Sequence, residues 1–410
     1  MTPAMKIFLV LGVALLAQSV WSLIDGYRFL RYARSCRGKP PGDFAPPAAL
    51  LIPCKGVDTG FDENLACYLN QDYPRYQVVI AIASETDPAF KPLQSRLREI
   101  EASSAHRGPQ VTLVVAGYSP SRGEKVNNLL RGLAAAEPSA QVYAFADMDA
   151  RPARDWLRCL VAPLRDPQVT VSTGFRWYLP GASFVSQLRA AWDTSIATLL
   201  GDHDHNFAWG GSMAIRAMDF ARLRVADRYW AGTVSDDYAL TRAVREARGR
   251  IRFEPRCLVA SREESSFREF LRWANRQIII TRVYAPHLWR MGLAAYVFFC
   301  GTMLWGLAEL ARPGVPAGWR WSVAGTLASI QLLGVAKARL RSVVAREVFT
   351  EKTALLKRYG GRYWQLSPLV PWVMLVNLVV AGFTRRIEWR DTCYELKSPN
   401  EVRVLRRGAG

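Results

Sequence analysis

In the stretch AFADMDARPARDW an apolar run at 142–146 ends in two aspartates one residue apart, Asp147 and Asp149. Carboxylates are costly to bury without partners. The pair can cap the helix that follows near Pro152, grip a hard cation, or face water. Carboxylate oxygens suit Mg²⁺ and Mn²⁺, and one or two carboxylates plus a diphosphate make an ordinary site for such an ion. A second acidic pair stands in Thr233-Val-Ser-Asp-Asp-Tyr, ahead of a stretch with helical spacing at Leu240, Ala243 and Val244. Thr233 and Asp236 form a Thr-x-x-Asp capping signature, so Asp236 is expected to close the cap. Asp237 is then left at a helix N-terminus that favours its charged form. An ionised carboxylate on a rigid helix end suits a general base.

Other residues carry weaker signals. Gly210 and Gly211, in Phe-Ala-Trp-Gly-Gly-Ser, permit close backbone approach to a ligand or simply turn the chain. Lys55, after the first apolar run, and Lys125, in Gly-Glu-Lys-Val-Asn-Asn, are placed to meet a diphosphate or water. Arg272 can pair with phosphate and Trp273 can stack on a sugar or base, or the two can belong to an interfacial helix at a bilayer. His203 and His205 lie beside Asp202 and Asp204. No third histidine is near, so a polar loop on an acceptor side is expected rather than a metal cluster.

The elements that position these residues follow from the apolar pattern. Runs at 48–53, 77–83, 111–116, 142–146 and 169–173 are short and almost uniformly apolar, with helix-compatible stretches such as 93–102 and 124–136 between them. Continuous apolar strands alternating with helices indicate a mostly parallel α/β sheet covered on both faces. In such sheets ligands bind beyond the carboxyl ends of the strands. Lys55, the Ser84–Asp87 turn and Asp147–Asp149 would all converge on that edge.

Flanking this middle are membrane-type segments. Residues 7–24 are apolar except for Gln18, Ser19 and Ser22, and are followed by Arg28, Arg31, Arg34, Arg37 and Lys39. That length suits an uncleaved spanning helix, and the flanking charge puts the following residues on the cytoplasmic side. Apolar blocks at 291–311 and 323–336, joined by a loop with Pro313, Gly314, Pro316 and Gly318, are expected to form a helical hairpin. A last block, 366–383, contains Pro368, Pro371 and Asn377 and is followed by a basic tail. A re-entrant or interfacial segment is expected there, because it returns the tail to the cytoplasm. The expected division is an anchor and stalk at 1–40, a soluble domain at 41–285 and a membrane-associated region at 286–410.

Charge and composition agree. The 410 residues are 50% hydrophobic with a formal net charge of +19, which points to an anionic partner such as phosphate or a membrane surface. Seven cysteines without a C-x-x-C pair exclude a disulfide framework or zinc ribbon and suit reduced thiols. No Gly-x-x-x-x-Gly-Lys run supports P-loop chemistry, and Asp147-Met-Asp149 lacks the small hydroxylated residue a D-x-D phosphatase would carry next.

The order of these motifs resembles family 2 glycosyltransferases of the GT-A fold, and more closely their ceramide glucosyltransferase-like branch. It is carried by Asp87 in Thr-Asp-Pro-Ala, Lys125-Val-Asn-Asn-Leu, Asp147-Met-Asp149, Trp209-Gly-Gly-Ser, Ser235-Asp-Asp-Tyr, Arg272-Trp273 and Ile387-Glu-Trp-Arg with Tyr394 following. The resemblance implies a GT-A Rossmann-like sheet with transmembrane helices at both ends. It implies an inverting transfer of a sugar, glucose above others, from a UDP-sugar to a lipid hydroxyl, with Mg²⁺ or Mn²⁺ as cofactor. Asp87 would contact uridine, Asp147 and Asp149 would position the sugar-diphosphate with Asp149 on the metal, and Asp237 would be the base. Lys55, Lys125, Gly210, Gly211, Arg272 and Trp273 would serve the donor, and His203, His205 and Asp236 the acceptor side. The partners implied are a membrane and a lipid acceptor, with no nucleic acid, at a bacterial inner membrane with the catalytic domain cytoplasmic. Glu269 stands where the family's Q-x-x-R-W signature has Gln or Arg. A processive polysaccharide synthase and a non-catalytic basic membrane-surface protein are the alternatives.

Overall fold

The computed structural model describes residues 2–102, 108–261 and 263–408. In chain order the first elements are α1 (Pro3–Cys36), β1 (Ala48–Cys54), α2 (Phe61–Leu69), β2 (Tyr76–Ile82), α3 (Phe90–Ala102), β3 (Gln110–Val115), α4 (Glu124–Ala134), β4 (Val142–Ala146) and α5 (Trp156–Val161). There follow β5 (Val169–Tyr178), α6 (Phe184–Ala197), β6 (Ser212–Arg216), α7 (Ala217–Arg222), α8 (Asp236–Glu246) and β7 (Arg250–Ser261). The chain continues with α9 (Phe267–Tyr284), α10 (Pro286–Ala311), α11 (Ala317–Val348), α12 (Thr353–Tyr363) and α13 (Val370–Phe383), and closes with β8 (Arg386–Trp389), β9 (Thr392–Ser398) and β10 (Glu401–Arg407).

These elements form two compact units that do not follow the linear order expected. One gathers residues 1–35, 178–201 and 262–384; the other gathers 36–177, 202–261 and 385–410. The second unit carries the α/β fold. Its seven-stranded sheet has the order β3-β2-β1-β4-β6-β5-β7. β1 pairs in parallel with β2 and β4, and β2 with β3. β6 is antiparallel to both β4 and β5.

Uniform apolarity of the central strands has the expected cause, burial on both faces. Leu50 and Ile52 belong to one core cluster, with Val78, Ile80 and Ala144. Leu51, between them in sequence, belongs to the other, with Val79 and Phe145. The same unit ends in a three-stranded antiparallel meander, β8-β9-β10. The sequence reading treats these residues as a basic tail. Yet Ile387, Tyr394, Leu396 and Val402 are buried.

The other unit is helical. Phe8 and Leu15 of α1 pack with Met303 of α10 and with Trp319, Val323, Leu327 and Ile330 of α11. Among the described residues, three helical stretches are long and apolar enough to cross a membrane: Pro3–Cys36, Pro286–Ala311 and Trp364–Phe383. The expected 323–336 block is helical as part of α11, but that helix is not among them: Lys337, Arg339, Arg341 and Arg346 dilute its apolar part. Asn377 is fully buried on α13, accepting a hydrogen bond from Trp192 Nε1 (3.2 Å) and donating one to Asn275 Oδ1 (2.7 Å). Its polar amide is satisfied inside the unit.

Candidate active site

Where β4 ends, the chain turns through Asp147, Met148 and Asp149. The first alternative, capping of the next helix, is not what is observed: Asp155 occupies the N-cap of α5. Both carboxylates instead face the guanidinium of Arg176, near the carboxyl end of β5. Nη1 donates to Asp149 Oδ2 (2.8 Å), and Nη2 donates to Asp149 Oδ1 (2.5 Å) and Asp147 Oδ2 (3.1 Å). Burial alone would raise the Asp149 pKa, but the Arg176 charge and hydrogen bonds outweigh it and hold the carboxyl below its ordinary range. Arg176 also lies over the Trp209 ring, 5.4 Å from its centroid.

Lys125 stands near the start of α4 and joins the two acidic motifs. Its Nζ is 2.9 Å from Asp147 Oδ1 and 3.3 Å from Asp236 Oδ2. Burial opposes its charge, but Asp147, Asp236 and Asp237 prevail and its pKa lies above the ordinary value.

The cap of α8 differs from the expected one. Ser235 is the N-cap and its Oγ accepts from the Tyr238 N–H (3.3 Å). Thr233 instead braces the turn, its Oγ1 accepting from the Ser235 N–H (3.2 Å). Asp236, freed from capping, is buried against Lys125 and its carboxyl is pushed up to about 7 by burial. Asp237 accepts from the Tyr238 N–H (2.7 Å), the Ser235 hydroxyl and, at 3.4 Å, the Gly210 N–H.

The glycine pair makes this approach possible. A Cβ on Gly210 would lie 2.1 Å from Asp236 Oδ2, and one on Gly211 2.5 Å from Asp147 Oδ2. Close approach to the acids, and for Gly211 also to the Trp209 ring at 2.1 Å, rather than turn conformation, is what these two positions require.

Asp87 lies past β2 and ties two loops together. Its Oδ1 accepts from the Gly56 N–H (2.8 Å) and the Ala89 N–H (2.9 Å). Lys55 does not extend toward the D-x-D pair: its Nζ is 2.9 Å from Glu124 Oε2 and 2.5 Å from Asp391 Oδ1. Burial pushes the adjacent Cys54 thiol up to about 12, so it stays protonated.

Two histidines expected on the acceptor side lie elsewhere. His203 and His205 stand in a loop with ring centroids 5.9 Å apart. They flank the starts of β5 and β7, where His203 and Asp204 share a cavity with Val169 and Arg250. That is the opposite sheet edge from the aspartates. Arg272 and Trp273 sit on α9, in the helical unit. There the Arg189 guanidinium is sandwiched 4.4 Å from the Trp273 centroid and 4.2 Å from that of Tyr178. Glu269, in place of the signature's Gln or Arg, closes a capping box: its Oε2 accepts from the Ser266 N–H (2.8 Å).

Sequence reasoning missed Arg176. Its signal was an arginine inside an aromatic strand end, Gly-Phe-Arg-Trp-Tyr. Among the described residues no group of three or more His, Cys, Asp or Glu side chains is arranged to hold a metal alone. Asp147 and Asp149 nonetheless aim oxygens at one cationic position. This donor set fits a hard divalent ion that draws its other ligands from a diphosphate.

Over 88 residues the chain is 31% identical to a ceramide glucosyltransferase of Komagataella phaffii, a match covering 21% of this chain and 16% of that protein. Its fold is similar to a mannosyltransferase of Pyrobaculum calidifontis solved with GDP-mannose and Mn²⁺, at 19% identity, TM-score 0.46, and 92% and 97% coverage of the two chains. It is also similar to glucosyl-3-phosphoglycerate synthase of Mycobacterium tuberculosis, at 15% identity, TM-score 0.38, and 61% and 85% coverage. A family model matches residues 8–402, nearly the whole sequence, and refines the expected family 2 likeness: the chain belongs to glycosyl transferase family 21.

Proposed function

We propose that the protein is a membrane-bound inverting glycosyltransferase that moves a sugar, glucose above others, from a UDP-sugar to a hydroxyl of a ceramide-like lipid. The observation that carries this reading is the linkage of the two acidic motifs: Asp147 meets Lys125, Lys125 meets Asp236, and Asp237 follows on the same helix start. A donor-positioning group and a base thus share one strand-end cluster in a chain of this family. The three apolar helices among the described residues, and the arginines that follow the apolar part of the first, support work at a membrane with the catalytic unit cytoplasmic.

Asp87 would hold the uridine side through the loop it braces. Asp147 and Asp149 would hold Mg²⁺ or Mn²⁺, with Asp149 the closer contact. When bound, that ion neutralises charge on the diphosphate. Lys125, with Gly210 and Gly211 giving room, would sit beside the donor. Asp237 takes the proton of the acceptor hydroxyl. The oxygen forms its bond to the anomeric carbon as the bond to UDP breaks, UDP leaves with the electron pair, and the configuration inverts. Alignment of donor and acceptor supplies much of the acceleration. His203 and His205, at the other sheet edge, have no part in this mechanism.

The test offers purified protein a panel of UDP-sugars with Mg²⁺ or Mn²⁺ and total lipid, and identifies products by mass. The expected result is UDP release matched by a lipid carrying one sugar, abolished in Asp237→Asn. Absence of UDP release with every donor would reject the reading. A growing polymer would favour a polysaccharide synthase, and an unchanged Asp237→Asn variant would remove the base.

A further inference from the structure

The tip of the C-terminal meander carries Arg390 between β8 and β9. Its φ is +52°, a left-handed conformation that an arginine adopts only at some cost. Glycine, asparagine or aspartate would take that place more easily, so the turn spends conformational energy on presenting this side chain. Its guanidinium reaches the loop after β1. There Nη2 is 2.7 Å from Asp58 Oδ2, and Nη1 would lie 3.3 Å from a Cβ on Gly56. Gly56 is the residue whose N–H Asp87 holds. Arg390 and Asp149 act on each other electrostatically, each favouring the other's charged form. The Arg390 side chain remains 41% exposed, leaving donors for a ligand.

Lys55 contrasts with it. It is clamped between Glu124 and Asp391, the residue next to Arg390. One side of the tip thus occupies the lysine of the β1 loop while the other brings in an arginine. We propose that Arg390, rather than Lys55, is the cation that the β1-loop side of the site supplies to the nucleotide diphosphate, and that the meander is a donor-binding element. A planar guanidinium can bind phosphate oxygens with two parallel hydrogen bonds. Asp58 holds it in place until phosphate arrives.

This inference rests on the UDP-sugar reading, and the experiment separates the two. UDP and uridine are titrated into full-length protein, comparing wild type with Arg390→Ala, Arg390→Lys and Asp58→Asn. Arg390→Ala is expected to weaken UDP roughly tenfold or more while leaving uridine unchanged, with Arg390→Lys between. Asp58→Asn removes the ion pair but keeps the guanidinium, and should leave UDP affinity equal to or tighter than wild type. Equal UDP affinity in wild type and Arg390→Ala overturns the inference. So does an equal loss in Arg390→Ala and Asp58→Asn, which would make Arg390 a strut. No UDP binding by wild type would instead sink the UDP-sugar reading itself.

Discussion

Asp236 and Asp237 are adjacent in sequence and differ in what decides their chemistry. Burial pushes the Asp236 carboxyl up to about 7; Lys125 opposes this, and the charges of Asp237 and Asp147 add to it. An unfolded aspartate titrates near pH ~3.9. The folded state therefore binds this proton more tightly. The stabilisation is fully present below about pH 4 and is lost as pH rises from there to about 7. Asp236→Asn cannot ionise, so its melting temperature relative to wild type should climb across that window. A constant offset between the two proteins would show that Asp236 titrates normally. Arg176 is the other residue whose role follows from contact. Its guanidinium occupies the oxygens of Asp147 and Asp149. Arg176→Ala should therefore tighten Mn²⁺ binding in the absence of nucleotide, by roughly tenfold. Calorimetric titration giving weaker or equal binding would mean that the arginine supports the carboxylates rather than competing for them.

At the scale of elements, the start of α8 sets the geometry of Asp237. Ser235 both caps the helix and donates its hydroxyl to Asp237. Ser235→Ala should lower stability by about 1 kcal/mol. It should also lower kcat more than it raises the donor KM, since the base loses orientation while the donor keeps its contacts. Melting curves and steady-state kinetics read the two effects separately; a change in KM alone would place Ser235 on the donor side. The strands β1, β2 and β4 were legible because they are buried on both faces and hence almost uniformly apolar. The strand end that carries Arg176 was not. The apolar signal stops at Thr173, whereas β5 runs on to Tyr178. Gly174 interrupts the pattern for a packing reason: a Cβ there would meet the Cys257 carbonyl oxygen at 1.9 Å. The acidic ends Asp147–Asp149 and Asp236–Asp237 were visible as carboxylates in unusual company. Their linkage through Lys125 joins three segments far apart in sequence, and no local pattern encodes it. The meander had a local pattern, alternating burial at Thr392, Tyr394 and Leu396, but the surrounding arginines and lysine dominate its composition.

For the whole molecule, the return of the chain constrains its path through a bilayer. The chain leaves the sheet unit after residue 261 and rejoins it at residue 385. The meander is tied into that unit by Lys55 to Asp391 at 2.5 Å and by the Glu124 N–H to the Tyr394 hydroxyl at 3.3 Å. One compact unit lies on one side of a membrane, so residues 262–384 must cross an even number of times. The two candidate spans in that interval, Pro286–Ala311 and Trp364–Phe383, satisfy this as a pair. The basic tail then shares the side of the D-x-D site, in keeping with the positive-inside rule. If α1, which is long and apolar enough to span a membrane, crosses once, the N-terminus lies opposite. In intact cells an impermeant label should therefore reach a tag placed before Met1 and not one placed after Gly410; permeabilised cells should label both. Labelling of the C-terminal tag in intact cells would require an odd number of crossings, which the meander's place in the sheet unit forbids.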